Sequence, residues 1–168
     1  MNRSLQRLDD VHQKLLDTVT PLDSELFMQR PSDREWSVGE IVQHLYLVED
    51  RVIKDLKRAI DSEPGRVSFV KKLIPTYIVS LRVRKFQSPK AVKPVDVPAK
   101  DQVLTNYNVA RQSLKELCRS QSRERFKTLV FNHPFLGPID GTMTVSFVGY
   151  HELRHLKQIR EVLKKLSA

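Results

Sequence analysis

The chain has 168 residues, enough for one domain with a buried core, and it carries a net charge of +9 with 40% hydrophobic residues and a single cysteine, Cys118. One cysteine excludes an internal disulfide and any cysteine-rich zinc site, so a bound metal has to rest on His, Asp or Glu. The charged opening, MNRSLQRLDD, lacks the apolar stretch of a secretory signal, and no apolar run reaches the roughly 20 residues of a membrane span; a cytoplasmic protein of one domain, 1–168, with no membrane partner is expected.

Leu5, Leu8, His12, Leu15 and Val19 recur at spacings of three and four, which predicts an amphipathic helix over 3–20 closed by Pro21. A polar stretch follows. Ser37 with Glu40 three positions on has the pattern of a capping box, and Trp36 just before it suits a hydrophobic staple packed on the first turns. Ile41, Leu45, Val48, Val52, Leu56 and Ile60 then give the second helix its inner face until Asp61 to Gly65 stops it.

Residues 66–98 read as a long crossover: FVKKLIPTYIVSLRVRKF as an amphipathic helix broken at Pro75, then SPKAVKPVDVP as extended chain. Much of the positive charge lies here, at Lys71, Lys72, Arg82, Arg84, Lys85, Lys90 and Lys93. The sequence has no recognition-helix pattern, RNP aromatic motif or glycine-rich phosphate loop, so a solvated basic surface is expected rather than a nucleic-acid partner.

Val103, Tyr107, Ala110, Leu114 and Leu117 form the stripe of a third helix over about 100–119, with Cys118 at its border as a small buried hydrophobe rather than a nucleophile. FNHPFLGPIDG reads as a loop, and Thr142 or Thr144 can cap a last helix that runs to the C-terminus. Four long helices predict an all-α fold, a four-helix bundle with a long crossover between the second and third helices.

The last helix contains GYHELRHLKQI, in which His151, Glu152 and His155 stand in the order H-E-x-x-H of zinc metalloproteases. His151 and His155, four residues apart, share a helix face and can reach one ion, in line with Val148, Ile159 and Val162. A protease needs a further ligand downstream. Gln158 stands where the longer protease motif has glycine, and Glu161, where it has a third His, lies on the same helix and is rotated roughly 240° from His155. Glu152 points about 100° away from His151 and is expected to be a solvated surface charge. The third ligand therefore has to come from upstream. His44 is the best candidate, because Ile41 and Val48 place it on the inward stripe of the second helix. His12 is expected to line a pocket or the core, and His133, before Pro134, to be structural or at a pocket rim.

WSVGEIVQHL (Trp36 to Leu45), NHPFLG (Asn132 to Gly137) and HELRHLKQI (His151 to Ile159) together, in this order and spacing, resemble the DinB/YfiT-like superfamily. The resemblance spans nearly the whole chain. It implies a four-helix bundle that binds a divalent metal through one His on the second helix and an H-x-x-x-H pair on the last, by position His44, His151 and His155. It also implies a metal-dependent transferase or hydrolase, some similar proteins being S-transferases that use low-molecular-weight thiols, and a homodimer. The expected cofactor is a divalent ion, zinc or nickel foremost, with iron or copper as alternatives. The expected partner is a small-molecule substrate, for some relatives together with a small thiol. Two other readings stay open. One is a protein that binds nucleic acid or another anionic partner through its basic surface, and the other is a non-catalytic bundle stabilised by metal.

Overall fold

The stripe of the N-terminal segment forms α1, Asn2–Val19, which buries Leu8, Leu15 and Val19 completely. The protein is described here by a computed structural model covering residues 2–68 and 89–167, so the expected broken helix FVKKLIPTYIVSLRVRKF and most of the basic cluster lie outside the described residues. A short helix not anticipated from the sequence, α2, Ser24–Met28, starts where Asp23 Oδ1 accepts the Leu26 N–H at 2.7 Å.

α3, Val38–Ile60, opens on the expected capping box: Ser37 Oγ accepts from Glu40 N at 3.1 Å, and Glu40 Oε2 accepts from Ser37 N at 2.8 Å. At Gly39 a Cβ would sit 2.9 Å from the Phe27 ring and 2.8 Å from Met28 Sδ, so glycine is what lets α2 lie this close to α3. In the stretch 88–98 expected to be extended, residues 90–92 form instead a single 3-10 turn, Lys90–Val92; the chain then enters α4, Lys100–Ser120, and a second short helix, α5, Arg123–Phe126.

The segment read as a loop before the last helix folds as an antiparallel hairpin of β1, Val130–His133, and β2, Gly137–Asp140, in the register Val130 to Asp140 and His133 to Gly137. Strands this short, with Pro138 inside one and Gly137 at φ 65, leave in the sequence no more than a brief strand-like run near Leu129 to Phe131. The last helix, α6, Gly141–Leu166, is capped by Asp140 rather than by Thr142 or Thr144. Asp140 Oδ1 accepts from Met143 N at 2.9 Å and from the Thr142 hydroxyl at 2.6 Å, while the Thr144 hydroxyl donates to the Asp140 carbonyl at 2.8 Å.

α3 packs against both α4 and α6, and α6 against α1, which gives the expected four-helix bundle. Its interior has two apolar clusters. One gathers Leu8, Val52, Leu114 and Val148, and the other Leu15, Leu45, Tyr107 and Leu156. Between these residues along each helix sits a buried polar side chain: His12 on α1, Glu49 on α3, Arg111 on α4 and Glu152 on α6. None of the described helices is long and apolar enough to cross a membrane.

Candidate metal centre

Ile41 and Leu45 face inward on α3 and carry His44 inside with them, leaving it 3% exposed. Val148, Leu156 and Ile159 do the same for the facing side of α6, where His155 is buried and His151 half-buried. One nitrogen from each of the three rings lies within 4.8 Å of the others, a group that could hold a metal ion. The structure thus brings His44, His151 and His155 together.

Their outer partners fix which nitrogen faces the cluster. His44 Nδ1 is 2.7 Å from the Val92 carbonyl, which can only accept, so Nδ1 carries the proton and the Nε2 lone pair is left free. His155 Nδ1 likewise donates to Gln158 Oε1 at 2.9 Å. These are the supports expected around metal-binding imidazoles. His155 Nε2 and His151 Nε2 are 3.2 Å apart, close to the about 3.4 Å that a tetrahedral ion imposes on two nitrogens bonded at about 2.1 Å. The donor set fits a divalent cation.

Burial lowers the pKa of His44, the Val92 hydrogen bond opposing it. His151 is held well below the ordinary histidine range by burial first, then by the neighbouring His155, His44, His133 and Arg154. Both rings are therefore neutral at pH 7, the form that binds metal. Two aromatic rings flank the group: Trp36 with its centroid 5.2 Å from that of His44, and Phe147 stacked on His151 at 5.3 Å. Trp36 also packs on the apolar cluster at the start of α3, as a staple would.

Glu152 is not a solvated charge. It is 1% exposed and accepts from Arg111 Nη2 at 2.9 Å and from the Tyr107 hydroxyl. Arg111 also donates to Glu49 from Nε at 2.8 Å and Nη2 at 3.1 Å, and to the Leu8 carbonyl at 2.7 Å, so one guanidinium joins all four long helices. Because α6 packs against both α1 and α3, a residue rotated 100° from His151 meets another buried face instead of water. Burial and the Glu49 carboxylate push the Glu152 carboxyl well up.

His12 is a core residue: its Nε2 is 2.8 Å from Asn108 Oδ1 and its ring 4.7 Å from that of Tyr107. Burial, and then Arg111, lower it to about 4. His133 closes β1, and its Nδ1 accepts from the backbone N–H groups of Phe135 and Leu136, each at 3.2 Å. Cys118 is fully buried, its thiol pushed up to about 12 by burial and by Glu49. Glu161 is exposed and outside the histidine group. Gln158, Arg111 and Glu49 escaped the sequence reading. The signal for Gln158 was its position three residues after His155, and for Arg111 its position four after Tyr107 on the inner stripe.

The chain matches the DinB superfamily over residues 7–159. It is 29% identical over 147 residues to YuaE, an uncharacterized protein of Bacillus subtilis (strain 168), covering 87% of this chain and 88% of that one. Among solved structures it is similar to YfiT from Bacillus subtilis, described as a probable metal-dependent hydrolase with an unusual four-helix bundle topology, at a TM-score of 0.68 and 18% identity over 99% of this chain and 87% of that one. It is also similar to TT2238, a four-helix bundle protein, at a TM-score of 0.65 and 20% identity over 95% of this chain and 98% of that one. With the family match running from α1 into α6, the chain belongs to the DinB superfamily.

Proposed function

We propose that the protein is a metal-dependent enzyme in which His44, His151 and His155 hold a divalent ion, zinc or nickel foremost, and that it carries out S-transfer or hydrolysis on a small molecule. The observation that carries this reading is the convergence of three imidazoles, two of which, His44 and His155, have their Nδ1 atoms already engaged by Val92 and Gln158. When bound, such an ion supplies Lewis acidity and lowers the pKa of a water or thiol at its remaining position. Three protein ligands leave that position open.

The chain's own residues do the rest. Val92 and Gln158 hold the rings in orientation, and Trp36 and Phe147 shield two of them from water. Trp36, whose ring lies 5.2 Å from that of His44, also lines a cleft with Arg34, Lys93 and Val97; none of the three histidines lines it. Glu152, tied to Arg111 and Tyr107, is not the general base of a protease. Any thiol comes from outside the chain, because Cys118 is locked in the core. The similarity to YfiT supports the hydrolase arm, and the resemblance to thiol-dependent members supports the transferase arm.

The test is metal content after chelation and reconstitution, in the wild type and in His44→Ala and His151→Ala. About one ion per chain is expected in the wild type and a loss in both variants; stoichiometric binding retained by both sinks the site. An ion that raises the melting temperature while thiols with electrophiles, esters and amides all fail to turn over leaves a metal-stabilised bundle and overturns the enzyme.

A further inference from the structure

We infer that His133 is an outer hydrogen-bond donor of the metal centre, holding its Nε2–H for an acceptor oxygen of the small molecule that binds there. The inference rests on the metal-dependent reading above.

The two nitrogens of this ring are used in the opposite sense to those of His44 and His155. In those ligands Nδ1 donates, to Val92 and Gln158, and Nε2 keeps its lone pair. In His133 the Nδ1 lone pair accepts two backbone N–H groups, of Phe135 and Leu136, so a neutral ring must carry its proton on Nε2. That tautomer cannot offer Nε2 to a metal. It can offer a hydrogen bond.

The ring is also placed and held for this. It meets Phe147 edge-on at 4.4 Å, and Phe147 stacks on His151 at 5.3 Å, so His133 is one aromatic ring away from a ligand. Two backbone hydrogen bonds from the β1–β2 turn and the Phe147 contact fix its orientation. Nε2 has no hydrogen-bond partner among the described residues, and the ring is half-buried rather than sealed in the core. Burial, opposed by Asp55, lowers the ring's pKa to about 4, and the donor therefore stays neutral at pH 7.

The two nitrogens can be tested separately, because the amide of Asn mimics Nδ1 and that of Gln mimics Nε2. His133→Asn keeps an acceptor for the turn and removes the distant donor; His133→Gln keeps the donor and removes the acceptor. The full-length protein is loaded with cobalt(II) and titrated with mercaptoacetate, which has a carboxylate, and with ethanethiol, which has none, while the cobalt absorption is followed. Mercaptoacetate affinity is expected to fall about tenfold in His133→Asn and to stay near wild type in His133→Gln, with ethanethiol alike in all three. Unchanged mercaptoacetate binding in His133→Asn overturns the inference, and so does the reverse order of the two variants, which marks a role in the turn alone. Loss of cobalt in both variants also overturns it, by making His133 a ligand. Failure of the wild type to take up cobalt overturns the metal-dependent reading instead. The inference about the ring is then still decided by the imidazole nitrogen-15 spectrum of the metal-free protein, where the Nδ1–H tautomer at His133 overturns it.

Discussion

Arg111 on α4 donates to Glu152 on α6 across the bundle interior, Nη2 to Oε2 at 2.9 Å, with both side chains 1% exposed and His151 the next residue along the helix. The guanidinium is shared with Glu49, and that makes it hard to replace. Removing it takes the shared donor and positive charge from two buried carboxyl groups, the situation that costs about 3–5 kcal/mol when one side of a buried pair is lost. Arg111→Met is therefore expected to lower the unfolding free energy by about that amount in urea titration. The triple variant with Glu49→Leu and Glu152→Leu is expected to recover much of it, because no unpaired charge remains. An Arg111→Met protein as stable as the wild type removes the polar layer as a constraint on how the helices align.

Trp36 is the chain's single tryptophan, and its ring lies 5.2 Å from that of His44. Its fluorescence therefore reports on the site without any label. Nickel or cobalt added to the metal-free protein is expected to quench most of the emission, with a break at about one equivalent. His44→Ala is expected to abolish the break, while Cys118→Ala leaves it intact. Quenching that persists in His44→Ala with the same stoichiometry places the ion elsewhere.

The bundle and the three histidines were legible because both follow from helical periodicity. Leu8, Leu15, Ile41, Leu45, Leu114 and Leu156 recur at helical spacing and are buried, and His44, His151 and His155 lie on those same stripes. What periodicity cannot give is a contact between helices that depends on how each is rotated. Glu152 looked like a surface charge because its direction was judged against His151 on its own helix, whereas its neighbours are Tyr107 and Arg111 on α4 and His12 on α1. The partner of His44 was out of reach for a different reason: it is the Val92 carbonyl, a group every residue has, presented by a single 3-10 turn in a stretch expected to be extended. The hairpin of β1 and β2 was hidden by its turn residues, and with it the position of His133 beside Phe147.

Cys118 separates chemistry done by the chain from chemistry done by an added thiol. It is fully buried, and a thiol raised to about 12 is thiolate to only about one part in 10,000 at pH 8. The native protein is expected to leave a chromogenic disulfide reagent unreacted at pH 8 for as long as it stays folded, and to consume one equivalent at once in denaturant. Cys118→Ala is expected to keep any S-transfer activity of the loaded protein. A rapid native reaction, or activity lost with fold and metal retained, would falsify the view that no protein nucleophile takes part.

His12 sets part of the acid limit of the fold. Burial, with Arg111 next, lowers its pKa from 6.5 to about 4, while the nearby Glu152 carboxyl, 3.4 Å from Nδ1, is already occupied by Arg111 and Tyr107. The sign follows from which state binds the proton more readily. Above pH 6.5 the ring is neutral in both the folded and unfolded chains and the full stability is present. As pH falls from 6.5 toward 4 the unfolded chain takes up the proton first, and the shift corresponds to a loss of about 3 kcal/mol from this group. His12→Gln, which keeps an amide donor for Asn108 and cannot titrate, is expected to lose less stability than the wild type over that window. Urea titrations of both metal-free proteins at pH 7 and pH 4.5 measure the difference. Equal losses in the two proteins mean that His12 is protonated as easily in the fold as in the unfolded chain.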